Sequence, residues 1–291
     1  MNATTASRMR FRRIQEWFFR GLMGLSLAIV LGALLTMIFV LALRGAKALS
    51  LEMLFCQMKG GYLLPGGGGG IANAIVGSLY MALGAMVLAT LFSLPLALAL
   101  QREYAGPRLT RITRLTLNVL SGAPSIVYGI LIYFIMIHIK MSASLIGGIL
   151  TLTVLMIPIM TCAMAEVVAL VPREMKETSY GLGATRWEST LAVVVRQSLP
   201  GLITAVLLAF GRGIGDAASV MFTAGFSGSI PTSLTDSTAS LPMAVYVQIT
   251  SPYNDVQDRG YASALVLLVL VLLISLGSRL IGRRFSRHVI R

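Results

Sequence analysis

The chain has 291 residues, of which 56% are hydrophobic and 12% charged, and its formal net charge at pH 7 is +13. Several uninterrupted apolar runs are long enough to cross a lipid bilayer, which excludes an ordinary soluble domain. The positive charge requires no nucleic-acid partner, because basic cytoplasmic segments orient membrane proteins and contact the anionic headgroups of membrane lipids. We therefore interpret the chain as a polytopic membrane protein.

Six apolar segments predict an all-α protein with six transmembrane helices, whose lengths allow tilt. The predicted spans are residues 21–43, 71–100, 115–139, 144–170, 201–226 and 261–282. With six spans, both termini lie on the same side of the membrane. Most of the 24 Lys and Arg residues lie in four segments, 1–20, 101–114, 171–200 and 283–291. We expect these segments to be cytoplasmic.

The first span, residues 21–43, is too long for the core of a signal peptide and is expected to remain as an anchor. A basic arm, residues 1–20, precedes it, and an external loop, residues 44–70, follows it. That loop ends in five consecutive glycines, which predict a flexible or tightly turning linker. No Lys and Ser or Thr follow the glycines, so this is not a nucleotide-binding loop.

A membrane domain is predicted over residues 71–282. In its third span, Pro124 removes a helical hydrogen bond, and Ser125 is among the small or polar neighbours that leave room for a kink. Such a kink suits a transport path, although packing alone also produces kinks. Residues 241–249 are apolar but too short to span, and predict either a short external helix or a re-entrant segment.

Residues 171–200 predict a helical hairpin between the fourth and fifth spans, with the form of a docking element. Pro172 can open its first helix and Gly183 can close it in a left-handed conformation. Thr185 and Glu188 match a capping box that starts the second helix. An ordinary interfacial loop is the alternative, because short matches of this kind arise by chance.

Arg212 is predicted near the middle of the fifth span. Placing a charged side chain at that depth costs about 2.5 to 3.5 kcal/mol even by low estimates. The Arg212 guanidinium suits oxyanions, and flanking glycines allow a ligand or backbone to approach. Asp216, four residues later, is expected to pair with Arg212 when the path is empty. A permanent structural ion pair is the alternative. Glu166, near the inner end of the fourth span, is a second acidic candidate for the path, and contact with the cytoplasmic headgroup region is the equal alternative.

Enzyme chemistry and metal binding have little support in the sequence. The two histidines, His138 and His288, fall far apart, and neither lies at path depth beside a suitable partner. Cys56 and Cys162 are expected on different sides of the membrane and therefore unpaired. A membrane-embedded enzyme, a channel and a non-transporting scaffold remain as alternatives to a transporter.

The hairpin resembles the cytoplasmic loop of permease subunits of bacterial ABC importers, which carry Glu-Ala-Ala, three residues and then Gly. Here the motif reads Glu177-Thr178-Ser179 and then Gly183, before Leu199-Pro200. From the second span onward the chain resembles phosphate-importer permeases of the PstA type. Three further motifs carry that resemblance: residues 123–129 (APSIVYG), 212–216 (RGIGD) and 231–242, which begins PTSL and ends LP.

The chain departs from this family pattern at three places. Val195-Arg196 replaces a Leu-Pro pair, Cys162 stands where the family tends to have Arg, and Asp216 stands where it tends to have Glu. Other oxyanions, namely phosphonate, molybdate, tungstate and sulfate, therefore remain alternatives to phosphate.

The resemblance implies the fold of a type I ABC importer permease in the bacterial inner membrane, with no catalytic activity or cofactor of its own. The implied partners are a PstC-type sister permease, a pair of ABC ATPases that bind ATP, and a periplasmic solute-binding protein. Glu177, Gly183, Ala184 and Trp187 are then the expected ATPase-coupling residues. Arg212, Asp216, Pro124, Ser125 and Glu166 are the expected residues of the substrate path.

Overall fold

The computed structural model describes residues 3–59, 62, 69–101 and 103–285, and nearly all of them are helical. Residues 1–2 of the basic arm, 64–68 of the predicted glycine linker and 286–291 of the basic tail lie outside the described residues. The helices are α1 (Ala3–Ala48), α2 (Leu51–Phe55), α3 (Ala72–Ala99), α4 (Pro107–Gly122), α5 (Ser125–His138), α6 (Leu145–Ala169), α7 (Arg173–Gly181), α8 (Arg186–Ser189), α9 (Arg196–Ile214), α10 (Leu241–Ile249) and α11 (Asn254–Phe285), with a π-helical turn at Thr190–Val195.

Five helical stretches are long and apolar enough to cross a membrane, and a sixth is obtained if α4 and α5 form one bent span. The five are Gln15–Ala48, Ala72–Ala99, Leu145–Ala169, Arg186–Ile214 and Asn254–Gly277. This confirms the predicted all-α, multi-span architecture. Spans one, two, four and six fall where hydropathy predicted them, whereas spans three and five differ.

The third span is broken at Pro124 rather than kinked. The axes of α4 and α5 differ by 99°, and α4 begins at Pro107, eight residues before the predicted start. Proline disfavours helical backbone in the residue before it, and Ala123 is accordingly extended, with φ −69° and ψ 142°. The Tyr128 hydroxyl donates to the Leu120 carbonyl at 2.6 Å, next to the Ala123 amide that donates to the same carbonyl at 3.0 Å, which partly compensates for the helical bonds lost at the break.

The core is centred on α6, which packs against α3, α4, α5 and α9. Small residues on α3 let α3 and α6 approach each other closely, and two of these residues, Ala85 and Ala89, are fully buried. Met156 and Met160 of α6 fill the remaining space. The first helix is peripheral: α1 packs mainly on α11, where Arg44 lies 5.0 Å from the ring centre of Tyr261.

The two ends of the bundle differ. We call the end formed by residues 97–104 and 165–189 the hairpin end, and the end formed by residues 69–78, 144–148 and 223–254 the far end. At the far end, α10 packs on α3 and α11, and the Leu241 amide donates to the buried Ser78 hydroxyl at 2.7 Å. Residues 241–249 therefore form a short helix that packs on these two spans.

The fifth span is helical over only part of its predicted extent, residues 201–226. Helix α9 continues from the hairpin through the π-helical turn and ends at Ile214. We call residues 215–224 the broken segment, because they form turns rather than helix. Thr223 at its end accepts a hydrogen bond from the Ser144 amide at 2.9 Å, beside the first residue of α6. The chain thus reaches the far end of the bundle without helical structure, and the prediction of a full helix is wrong.

Candidate functional site

The first helix of the hairpin ends at Gly181, and Gly183 closes it two residues later, as the sequence predicts. Gly183 has φ +87°, in the left-handed region where glycine avoids the strain of a side chain. The Gly183 amide donates to the Tyr180 carbonyl at 2.9 Å, and the Ala184 amide donates to the Ser179 carbonyl at 3.1 Å. These two bonds form a Schellman motif, which stops α7 and redirects the chain.

The second helix starts at the predicted capping box. The Thr185 amide donates to a Glu188 carboxylate oxygen at 2.8 Å, and the Glu188 amide donates to the Thr185 hydroxyl at 3.3 Å. The hairpin therefore has two fixed corners, one at Gly183 and one at Thr185.

A latch from the loop between α3 and α4, which the sequence did not predict, holds the hairpin. The Lys176 ammonium lies 3.1 Å from the Glu103 carboxylate and donates to the Gln101 side-chain oxygen at 3.0 Å. Partial burial opposes ionisation of Glu103, but hydrogen bonds from its own amide and from Lys176 outweigh it, so the pKa of this carboxyl is lowered. The pair ties α7 to the end of α3.

The same loop also holds the start of the second helix. Arg186 donates to the Glu103 carbonyl at 2.9 Å, and the Tyr104 hydroxyl donates to the Arg186 carbonyl at 2.9 Å. Tyr104 also lies 2.9 Å from the Thr190 hydroxyl, at the first residue of the π-helical turn. We call Gln101, Glu103 and Tyr104 the hairpin latch. Local spacing in the sequence gives no sign of it, because its contacts join residues 73 to 86 positions apart.

The tip of the hairpin presents apolar side chains without cover. Leu182 is 85% exposed and Trp187 is 58% exposed, although both residues are costly to leave in water. Glu177 is exposed and Ala184 is half-buried. No residue of α7 is buried. The predicted coupling residues thus lie together on or beside one exposed surface, which has the character of a docking site.

Arg212 lies in the last turn of α9 and is exposed. Its neighbour Gly213 packs so closely on Met156 that a Cβ would overlap that side chain. Met156 lies midway along α6, which agrees with the predicted depth of Arg212. Gly211 has no neighbouring atom within 4 Å of the position a Cβ would occupy. The Arg212 guanidinium therefore lies half-way along the bundle, on a face of α9 that has room for another molecule.

The predicted ion pair between Arg212 and Asp216 is not formed. Asp216 instead accepts a hydrogen bond from the Ser219 amide at 2.9 Å, and Arg212 forms no ion pair within the described part of the chain. The i, i+4 pairing requires a continuing helix, whereas this helix ends between the two residues. Asp216 is thus a turn-capping residue of the broken segment, and the charge of Arg212 is left uncompensated by its own subunit's side chains.

The other predicted path residues lie at the start of α5 and on α6. Pro124 and Glu166 are exposed and Ser125 is half-buried. On α6, one turn before Glu166, the Cys162 thiol lies 3.7 Å from the side-chain oxygen of Asn118. Asn118, an exposed polar residue on α4, was not predicted. No hydrogen bond or ion pair in the described ranges joins this group to Arg212.

Cys56 and Cys162 are both free thiols, so the prediction that they do not pair is confirmed. Within the part of the chain that the structure describes, no cluster of three His, Cys, Asp or Glu residues could hold a metal ion.

Residues 89–291 match the model of a protein family described as the binding-protein-dependent transport system inner membrane component. The chain belongs to that family. The permease is 32% identical to the phosphate transport system permease protein PstA 1 of Mycobacterium tuberculosis, covering 88% of this chain and 84% of the relative. It is also 32% identical to PstA of Yersinia pestis, over 74% of this chain and 72% of the relative. The predicted resemblance to PstA-type permeases is confirmed.

Solved structures give the same fold at lower sequence identity. The permease matches an inward-facing structure of the MetNI methionine ABC transporter with a TM-score of 0.62 and 20% identity, over 74% of this chain and 95% of that chain. It matches an amino acid ABC transporter with a TM-score of 0.57 and 18% identity, over 74% of this chain and 92% of that chain. The permease therefore has the ABC importer permease fold and is a multi-pass inner-membrane protein.

Proposed function

We propose that this permease imports inorganic phosphate as one half of a translocation path, driven by ATP hydrolysis on partner subunits. Its curated relatives are phosphate permeases. The observation that carries the proposal is the exposed Arg212 at the end of α9, half-way along the bundle. A planar guanidinium offers several directed donors, which a tetrahedral oxyanion needs once its water is removed.

A second permease of the PstC type faces this subunit. A charge in the middle of a membrane faces a cavity or a protein partner rather than lipid. One guanidinium would replace the hydration of a multiply charged anion poorly, and a sister subunit can supply further donors. The exposed Arg212 is therefore covered in the assembly, where it and the sister subunit bind the anion together. Pro124, Ser125 and Glu166 complete the path on this side, and Asp216 holds the broken segment beside it.

The hairpin end is the cytoplasmic end, and the exposed tip around Leu182 and Trp187 docks an ABC ATPase. Both termini then lie in the cytoplasm, and a periplasmic binding protein delivers phosphate to the far end. ATP is bound and hydrolysed by the ATPase, so the permease needs no cofactor and forms no covalent intermediate. The hairpin latch transmits movement from the docked hairpin to α3.

Uptake of labelled phosphate tests the substrate contact. In cells that express the partner subunits, Arg212→Met is expected to abolish uptake at normal membrane abundance, because Arg212 forms no ion pair among the described residues that the substitution would break. Arg212→Lys should recover only a small part, since it keeps the charge and loses the planar fork. Arg108→Met, which removes an exposed arginine from α4, is the matched control.

Two results would count against this role. Wild-type uptake by Arg212→Met would remove Arg212 from the path, and stronger competition by unlabelled phosphonate, molybdate, tungstate or sulfate than by phosphate would change the substrate.

Asp216→Asn should transport normally, because the amide oxygen can still accept the Ser219 hydrogen bond.

Accessibility to an impermeant thiol reagent tests the orientation. After Cys56 and Cys162 are replaced by serine, Leu234→Cys at the far end should react in intact cells, and Leu182→Cys at the hairpin tip should react only after lysis. Both positions are more than half exposed, so burial does not explain a difference between them. Reaction of Leu182→Cys in intact cells would reverse the proposed topology.

A further inference from the structure

A cavity of about 410 Å³ opens at the hairpin end, enclosed by the ends of α3 and α6, the start of α4 and the start of α7. Its polar lining residues are Gln101, Glu103, Thr110, Arg114, Arg173 and Lys176. We call it the basic cavity. Its volume falls within the range of sites that hold small ligands, roughly 300–1,000 Å³.

Positive charge exceeds negative charge in this cavity. Lys176 is the partner of Glu103 at 3.1 Å, so that carboxylate is already neutralised. Arg114 and Arg173 also line the cavity, and neither forms an ion pair within the described residues. The charge of Arg173 also acts on Glu103, so three cations share one carboxylate around this cavity and leave an excess of two positive charges.

The remaining walls strengthen the attraction for an anion. Ala97, Leu100 and Val168 line the cavity with apolar side chains, and a low local dielectric makes each charge-assisted hydrogen bond stronger than it is in water. The Thr110 hydroxyl is a further potential donor on the wall. No side chain caps the N-terminus of α7 at Pro172, so the first amides of that helix add positive potential beside Arg173.

The orientation signal of the chain does not explain this arrangement. Basic residues that only orient a membrane protein need not converge on one site. Arg108, Arg111, Arg114 and Arg173 are all exposed, but of these four only Arg114 and Arg173 line the basic cavity. Arg114 and Arg173 come from helices more than fifty residues apart and converge on one cavity. Such convergence is typical of a binding site for a small multivalent anion.

We propose that the basic cavity binds a phosphate group, as inorganic phosphate or as the headgroup of an anionic lipid, and that the bound group bridges α4 and the coupling hairpin. The site is separate from Arg212. Met156, which marks the level of Arg212, lies about 14 Å along α6 from Ala165 on the cavity wall, at ~1.5 Å per residue. A group held by Arg114 and Arg173 would join α7 to α4, beside the latch that joins α7 to α3.

Binding to the assembled transporter tests the site. All proteins carry Arg212→Met, so that phosphate in the translocation path does not contribute and failure of the proposed path leaves this result unaffected. The cavity variant is Arg114→Gln with Arg173→Gln. The matched control is Arg108→Gln with Arg111→Gln, which removes two charges from the same end of the protein without touching the cavity lining.

Two arms identify the source of the phosphate group. In phosphatidylcholine nanodiscs, binding of ³²P-labelled inorganic phosphate is measured by equilibrium dialysis. In phosphatidylglycerol nanodiscs, retained lipid is counted by native mass spectrometry. We expect one arm to detect binding that is about tenfold or more weaker in the cavity variant and unchanged in the control variant.

Each outcome of this experiment decides the proposal. Loss in the first arm assigns a free phosphate site, and loss in the second assigns a lipid headgroup site. No binding in either arm, equal binding by the cavity variant and its parent, or equal loss in the control variant would overturn the proposal. The single variant Arg173→Gln, with an intermediate loss, guards against a folding defect in the double variant.

Discussion

The far half of the bundle and the coupling hairpin are held together in different ways. Around the broken segment, backbone packs on backbone: a Cβ at Gly129 would overlap the Ser219 carbonyl, and a Cβ at Gly147 would overlap the Thr223 carbonyl. Non-helical backbone in a membrane needs this cover, because no water is present to satisfy it. Buried hydrogen bonds complete the packing, such as the one from the Thr151 hydroxyl to the Thr223 hydroxyl at 2.9 Å.

The first helix of the hairpin, α7, has no such packing. It buries no residue, and polar contacts from Lys176 to the hairpin latch hold it in place. Glycine has a different purpose in each region. Gly129 provides space, whereas Gly183 lies in open surroundings and provides a left-handed backbone. A tightly packed region resists deformation, and a region held by a few surface contacts can move as a unit when a partner docks.

The largest effect is expected at the hairpin turn. Gly183→Val places a β-branched residue at φ +87°, where ordinary residues lose about 1–2 kcal/mol and a β-branched residue is a genuine outlier. The turn should open, the second helix should leave its position, and ATP-driven uptake should fall close to background. Co-purification of the ATPase and uptake in whole cells measure this.

Gly181→Val is the matched control for that experiment. A Cβ meets no atom within 4 Å at either glycine, but Gly181 lies within α7, so only the backbone conformation distinguishes the two substitutions. Wild-type coupling by Gly183→Val, or an equal defect in Gly181→Val, would mean that the left-handed turn does not position the docking surface.

A smaller effect, on stability rather than coupling, is expected in the packed region. Gly129→Ala forces the Ser219 carbonyl to move, and added volume in a well-packed core costs about 1–3 kcal/mol. Thermal unfolding in detergent should therefore occur at a lower temperature. Gly122→Ala, at an open position on α4, should unfold like the wild type. Equal unfolding temperatures for both variants would contradict the close packing of the broken segment.

Much of the fold could be predicted because hydropathy and capping are local signals. Four spans, the Gly183 turn and the Thr185–Glu188 capping box follow from residues near one another in sequence. The end of α9 did not follow from hydropathy, because the apolar run continues to Phe226 and does not distinguish helix from buried irregular backbone. The glycines at 211, 213 and 215 were the available sign, since each lowers helix propensity by about 1 kcal/mol relative to alanine.

The candidate site was predictable to a similar extent. The depth of Arg212 and the exposed hairpin tip agree with the sequence. The pairing of Arg212 with Asp216 was wrong for the same reason as the span, because an i, i+4 contact exists only while the helix continues. The hairpin latch and the basic cavity join segments far apart in sequence, and such convergence requires the tertiary structure.

The smallest effect on stability is expected at Tyr104, a latch residue that holds the hairpin by hydrogen bonds rather than by packing. Tyr104→Phe removes one hydroxyl that contacts the Arg186 carbonyl and the Thr190 hydroxyl at 2.9 Å each. A typical hydrogen bond contributes about 0.5–1.5 kcal/mol, and Tyr104 is 42% exposed, so water replaces much of what is lost. The unfolding temperature should stay within about a degree of the wild type.

Coupling is expected to change even though stability does not. If the hairpin moves as a unit held by its latch, Tyr104→Phe should hydrolyse more ATP per phosphate imported than the wild type, because the first turn of the second helix is held less firmly. Assays of ATP hydrolysis and uptake in proteoliposomes give this ratio, and Tyr253→Phe, an exposed tyrosine at the far end, is the control. An unchanged ratio with an unchanged unfolding temperature would mean that Lys176 and Arg186 hold the hairpin without Tyr104.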